Sequence, residues 1–293
     1  LLKPCILAGT DLTLPSRLPA QRAQRMAREL GMRFVLAHVT PGFSTQSAES
    51  LTPSAWMPKM GAPTSQQGSR ALATAAKLAT GRFETWMRKA RVEPDAERVA
   101  VGAPHRVLLA VAKSNKAALI VTGVHRPTSK AESFLLGSTT DRLLRQSPIP
   151  VMLVRGSARS AYKSVLVALD LGDTSQRIIA AARRFFPNAR LHLVHVSGEH
   201  PKRDPLHEQR MRNLHEKLDA LAEAAGLTPE QRTTKIVQGA PRKVILREAA
   251  RRAADVIVVG TRARKGLERL LLGSIAEYVL RAAEMDVLAV PPS

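Results

Sequence analysis

The chain has 293 residues, of which 45 are basic and 24 acidic, giving a formal net charge of +21 with an apolar fraction of 44%. That length fits two domains of ordinary size, and the apolar fraction excludes a wholly disordered chain. No uncharged run of about 18 apolar residues occurs, so no transmembrane segment is expected, and a single cysteine excludes an internal disulfide or a Cys-rich zinc site.

The opening Leu1-Leu2-Lys3-Pro4 has no signal-peptide layout. The first predicted strand is the apolar run Cys5-Ile6-Leu7-Ala8-Gly9-Thr10, closed by Asp11. Cys5 reads there as a buried small residue rather than a nucleophile. A helix follows, with Arg22, Arg25 and Arg28 as a solvated face, then a strand, Phe34-Val35-Leu36-Ala37-His38-Val39. Residues 40–69 are rich in Pro, Gly, Ser, Thr and Gln and read as a loop insert, with Trp56, Met57 and Met60 able to pin it to the surface. Next come Gly102-Ala103-Pro104, the strand Leu119-Ile120-Val121-Thr122-Gly123, Gly137-Ser138 before a helix over 139–145, and the strand Val151-Met152-Leu153-Val154.

After a short polar junction near 156–164 the same order recurs. Val165-Leu166-Val167-Ala168-Leu169-Asp170 matches the first strand, and Leu191-His192-Leu193-Val194-His195-Val196 the second. Gly239-Ala240-Pro241, Val256-Ile257-Val258-Val259-Gly260, Gly273-Ser274 and Val287-Leu288-Ala289-Val290 complete the repeat. Between the strands lie amphipathic helices. In one, Ile178, Ile179, Ala182, Phe185 and Phe186 share a face behind an N-cap at Thr174 or Ser175; in another, Met211, Leu214, Leu218, Leu221 and Ala225 do. Short Val/Ile/Leu runs alternating with helices predict an α/β fold: two tandem doubly wound, Rossmann-like, five-stranded parallel sheets with helices on both faces. The domains span 1–156 and 160–293.

In such sheets ligands bind beyond the carboxyl ends of the strands, where the strand order reverses. Asp11 and Asp170, Gly123 and Gly260, and the Gly-Ser pairs all fall there. Glycine admits a ligand to the backbone, and a helix N-terminus offers free N–H groups to an anion. With Arg262, Arg264, Lys265 and Arg269 in the nearby loop, the second half suits a polyphosphate. The alternative is that these glycines are turns and that Ser274 is only an N-cap.

The segment from Gly260 through Ala263 to Gly273-Ser274 resembles the Gly-x2-Gly-x9-Gly-Ser/Thr signature of universal stress proteins, and the resemblance covers nearly the whole chain as two tandem domains. It implies a cytoplasmic stress-response protein that binds ATP or a related adenine nucleotide, with or without a divalent cation, as a sensor or regulatory module, with slow ATP hydrolysis as a variant. By resemblance Asp170 and Val196 flank adenine and ribose, Gly239 lines the pocket by its backbone, and Gly260 lies near the ribose. Gly273, Ser274 and Ile275 hold phosphates, with Arg262 and Ala263 in the connecting loop. The first-half counterparts are Asp11, Val39, Gly123, His125, Arg126, Gly137, Ser138 and Thr139. The resemblance also implies pairing of the runs 151–154 and 287–290, an intrachain pseudo-dimer or a homodimer, and a protein partner that the sequence does not name.

The halves depart from the signature unequally. Ala263 replaces one glycine in the second. In the first, Arg126 replaces it, Pro127 stiffens the loop, and the spacing to Gly137 is one residue longer. Weaker, altered or absent nucleotide binding is therefore expected in the first half, where His125 or Arg126 would face a different anion. No Walker A motif and no Gly-x-Gly-x-x-Gly occurs. His192 and His195 point to opposite faces of a strand and do not chelate one metal. His38 and His195 occupy equivalent places and read as packed or hydrogen-bonded. The charge is +13 over 1–156 and +8 over the rest, and aromatics are only 3%. It reads mainly as basic surface. The competing function is a nucleic-acid or anionic-surface binder with vestigial pockets.

Overall fold

The computed structural model describes residues 3–40, 79–124, 136–156, 160–198, 206–261 and 272–292. The contacts divide the chain into two units. The first is Leu1–His125 with Gly137–Leu143, and the second is Arg126–Leu136 with Leu144–Ser293.

The first unit runs β1 (Cys5–Thr10), α1 (Arg17–Glu29), β2 (Arg33–Thr40), a helix α2 over 79–90, β3 (Ala96–Val101), α3 (Pro104–Ser114) and β4 (Ala117–Gly123). It ends with the first turns of α4 (Ser138–Gln146). Its strands lie in the order β3-β2-β1-β4, all parallel. The apolar runs form strands because both sheet faces are covered: Ile6, Leu7, Leu36, Leu119 and Ile120 have no exposed surface. Each such side chain contributes about 1.5–3 kcal/mol on burial. Helix α1 packs on β1 and β4 and buries Ala20, Ala23 and Ala27, whose small size permits close approach, together with the larger Met26. Arg22 on the same helix is only 4% exposed, which corrects the expected solvated face. Arg25 and Arg28 do face outward, Arg25 pairing with Glu29 at 2.8 Å.

The second unit continues with β5 (Val151–Val154), β6 (Ser164–Leu169), α5 (Ser175–Phe185), β7 (Arg190–Ser197), α6 (His207–Ala224) and β8 (Arg232–Gln238). It closes with α7 (Pro241–Arg251), β9 (Val256–Gly260), α8 (Ser274–Ala282) and β10 (Asp286–Val290). Its strand order is β5-β10-β9-β6-β7-β8. All pairs are parallel except β5 with β10, which run antiparallel with Leu153 opposite Val287 and Val151 opposite Ala289. The runs 151–154 and 287–290 thus pair within one chain. The fold is α/β and Rossmann-like. In α6 the expected apolar stripe is covered only in part: Leu218 is buried, whereas Met211, Leu214, Leu221 and Ala225 are half-exposed. The insert, with Trp56, Met57 and Met60, lies outside the described residues apart from Thr40. No helix among the described residues is long and apolar enough to cross a membrane.

The repeat extends to the backbone. Leu12 and Leu171, each following a strand-end Asp, share a left-handed conformation (φ 64° and 58°), and Gly102 and Gly239 share φ values of 146° and 133°. The Gly-Ala-Pro motif is a helix entry. Glycine supplies the positive φ, alanine is the extended N-cap, and proline takes the first helical position, where its missing N–H costs nothing. A Cβ on Gly239 would also come within 3.1 Å of Val244 Cγ2.

Cys5 is fully buried in β1, its Sγ–H donating to the Asn115 carbonyl, and burial pushes the thiol up to about 11. The native protein is expected to leave this thiol unlabelled by an aromatic disulfide reagent at about pH 8, and to label it once unfolded in urea. Rapid labelling of the folded protein contradicts the placement.

Candidate functional site

A cavity of about 200 Å³ opens at the carboxyl ends of β6, β7 and β9, where β6 stands between β7 and β9 and the order reverses. Its floor is apolar: Leu169, Ile178, Val194, Val196, Ile245 and Val259. One rim is Asp170. Its Oδ1 accepts the Gly172 N–H at 2.9 Å and the Ser175 hydroxyl at 3.3 Å, which folds the chain back into α5. The left-handed Leu171 within this turn costs roughly 1–2 kcal/mol, held by that hydrogen-bonded aspartate. Oδ1 is occupied by the turn, and the hydrogen bonds of this turn leave Oδ2 unused.

The opposite rim is the start of α8. Gly273 is its N-cap, and Glu277 N–H donates to the Gly273 carbonyl at 2.8 Å as the first helical bond. The N–H groups of Ser274, Ile275 and Ala276 precede that bond and point out of the helix end. Ser274 is therefore the first helical residue and not the N-cap, which corrects the alternative in which it served only as a cap. Thr174 is the N-cap of α5 by position, but its hydroxyl makes no capping bond. Thr174 Oγ1 instead lies buried in the cavity wall with no hydrogen-bond partner. An orphaned hydroxyl costs about 1–3 kcal/mol. His195 donates Nδ1–H to the Leu169 carbonyl at 2.8 Å, so its Nε2 is the ring's acceptor.

The structure gathers Asp170, Val196, Gly260, Gly273, Ser274 and Ile275 around this cavity. Gly239 stands at the end of β8, its N–H on the Ser197 carbonyl at 3.1 Å, and is not in the cavity wall. Arg262, Ala263, Arg264, Lys265 and Arg269 lie outside the described residues, as do His125, Arg126 and Pro127 of the first half.

An equivalent cavity, about 820 Å³, lies at the carboxyl ends of β1, β2 and β4. It collects Asp11, Val39, Gly123, Gly137, Ser138 and Thr139. Asp11 Oδ1 accepts from the Thr13 N–H at 3.0 Å and the Thr13 hydroxyl at 2.6 Å, the same turn as at Asp170. His38 Nδ1–H donates to the Thr10 carbonyl at 2.9 Å, repeating His195. Phe83 of α2 stacks on the His38 ring at a centroid distance of 6.0 Å. Burial pushes the His38 ring below its usual 6.5.

Sequence reasoning missed several wall residues. Thr10, Thr122 and Thr140 are direct neighbours of landmark residues, so the strand-end pattern contained them. Arg82 of α2 also lines the first cavity, and no motif signalled it. Among the described residues no group of three His, Cys, Asp or Glu side chains is placed to hold a metal.

The sequence pattern of the universal stress protein family matches the chain twice, at residues 5–155 and 161–291. The chain is 25% identical over 195 residues to a universal stress protein E homologue of Haemophilus influenzae, covering 59% of this chain and 62% of that protein. It is 30% identical over 196 residues to a universal stress protein of Mycolicibacterium smegmatis, covering 64% and 65%. Both alignments span just under two thirds of the relative's length. Among solved structures, a universal stress protein from Archaeoglobus fulgidus superposes with a TM-score of 0.65 at 20% identity, covering 99% of this chain and 96% of that one.

Proposed function

The chain belongs to the universal stress protein family, matched once by each repeat, and from that premise we propose that it is a regulatory binding module whose second-unit cavity takes an adenine nucleotide of the ATP type. The observation that carries this reading is the pairing of chemistries across one cavity. The apolar floor, Ile178, Val194, Ile245 and Val259, suits the faces of a purine. Asp170 Oδ2 suits the ribose hydroxyls, and the free amides of α8 with the Ser274 hydroxyl suit phosphate oxygens.

What these groups offer a ligand is binding and orientation. A divalent cation, when present, would neutralise the phosphates.

Calorimetry with ATP tests the reading. The wild type is expected to bind, and the double variant Gly273→Asp, Ser274→Ala to lose about 100-fold or more in affinity, because a carboxylate then occupies the phosphate end of the site. No heat from the wild type, or equal affinity in the two proteins, overturns the proposal.

A further inference from the structure

The two cavities occupy equivalent places in the two repeats, yet their walls differ in chemistry. Where the second cavity has Leu169, Val259 and Ala276, the first has Thr10, Thr122 and Thr140. Val194 is matched by the smaller Ala37, and the cavity measures about 820 Å³ against about 200 Å³; the space beside Gly9 is filled by the Leu108 side chain. An apolar slot has become a roomier cavity whose wall, still largely apolar, carries three added hydroxyls.

The protons of those hydroxyls are already directed. Ser16 Oγ donates to the Thr13 carbonyl at 2.9 Å and so accepts from Thr10 Oγ1 at 2.8 Å. Thr140 and Thr122 reach the Gly123 carbonyl, each at 3.3 Å, and each other at 3.2 Å. Thr10 Oγ1 also accepts the Leu12 N–H at 3.0 Å, so what these oxygens have left to offer is lone pairs, which ligand O–H groups satisfy. At one end lie the hydroxyls of Ser138 and Thr139 with the free amides of α4, whose first helical bond is Asp141 N–H to the Gly137 carbonyl at 2.9 Å. Also in the lining is Arg82, an exposed residue whose guanidinium has no ion pair or hydrogen bond among the described residues. Helix α6, the counterpart of α2 in the second repeat, brings no cation into its cavity. The first cavity thus joins acceptors for many hydroxyls to donors and one positive charge for an anion.

We propose that the first cavity is a sugar-phosphate site, separate from the nucleotide cavity: Arg82, Ser138 and Thr139 hold the phosphate, and Thr10, Thr122 and Thr140 accept from the sugar hydroxyls. The two repeats of this chain then read two different ligands.

The test is calorimetry on the full chain, with glucose 6-phosphate as the main probe and fructose 6-phosphate and ribose 5-phosphate beside it. At least one of the three is expected to bind with Kd below about 1 mM, at one site per chain, with unchanged affinity in saturating ATP. Arg82→Ala changes an exposed side chain and is expected to fold; it should weaken that binding about tenfold or more and leave ATP affinity unaltered. Thr122→Val, which copies the second cavity, should weaken it by a smaller factor. The proposal is overturned by no binding of any of the three phosphates, by competition with ATP, or by an Arg82→Ala variant that binds like the wild type. Inorganic phosphate binding as tightly as the sugar phosphates also overturns it, since the site is then one for a bare anion.

Discussion

Replacing Asp286 with alanine is expected to destabilise the second unit by about 3–5 kcal/mol, read as a lowered guanidinium chloride midpoint by circular dichroism. Asp286 opens β10 and is only 2% exposed. Its Oδ1 accepts the Arg155 N–H at 2.6 Å and the Gly156 N–H at 2.8 Å, and its Oδ2 accepts the Tyr162 hydroxyl at 2.5 Å. One carboxylate therefore anchors both flanks of the junction between the repeats. Arg155 depends on it as well: burial pushes the guanidinium below its usual range, and the Asp286 charge opposes that shift. Alanine leaves two backbone donors and a phenol unsatisfied where water reaches poorly, and each costs about 1–3 kcal/mol. Asparagine keeps an acceptor at Oδ1 and should lose less, about 1–2 kcal/mol, and Tyr162→Phe should lose about 1.5 kcal/mol for one charge-assisted bond. An Asp286→Ala protein that unfolds at the wild-type midpoint would falsify this account of the junction.

The strands were legible because both faces of each sheet are covered, so that runs such as Leu166–Val167 and Val256–Val259 are apolar without alternation. The helix starts after Gly137 and Gly273 were legible to within one residue. The same Gly-Ser pairs located the rims of both cavities, since strand ends and helix starts converge at the reversal of strand order. What escaped depends on long-range packing. Asp286 has no counterpart in the repeat, where Pro150 precedes the matching strand, and nothing in its neighbours announces bonds to residues 124–131 positions away. Arg22 keeps the spacing of Arg25 and Arg28, yet it falls on the face that α1 buries.

The repeats also settle one buried position in two ways. Glu248 on α7 is 2% exposed and bridges Lys235 at 2.9 Å and Arg251 at 3.1 Å, while its counterpart on α3 is Val111, with no exposed surface. Burial pushes the Glu248 carboxyl up, but the hydrogen bond and charge of Lys235, with Arg251, bring it below its usual value. Fold-level patterning tolerates either solution, so sequence periodicity alone does not choose between them.

Acid is expected to weaken the second unit through His192, between pH 6.5 and about 4. The ring is 9% exposed on β7. Its Nδ1 accepts from the Thr233 hydroxyl at 2.8 Å and from Arg252 Nη1 at 3.0 Å, and Arg252 also reaches Thr233 at 3.2 Å. Burial, then the charges of Arg252 and Arg190, push the ring from 6.5 down to about 4. A proton on Nδ1 would displace two donors and face a guanidinium, so the folded protein holds this ring neutral. The unfolded chain protonates it near 6.5 and therefore binds more protons than the folded one throughout that interval. The stabilisation is present in full above pH 6.5 and drains away as pH falls through about 4. His192→Asn retains an acceptor near Nδ1 but cannot titrate, so its urea midpoint should fall less steeply between pH 7 and 4.5 than the wild-type midpoint. His38 and His105 are also pushed down, by burial first, and leave a residual slope in both proteins. Superimposable pH profiles for the two proteins would remove His192 as a source of acid sensitivity and, with it, the account in which burial and the Arg252 charge hold the ring neutral.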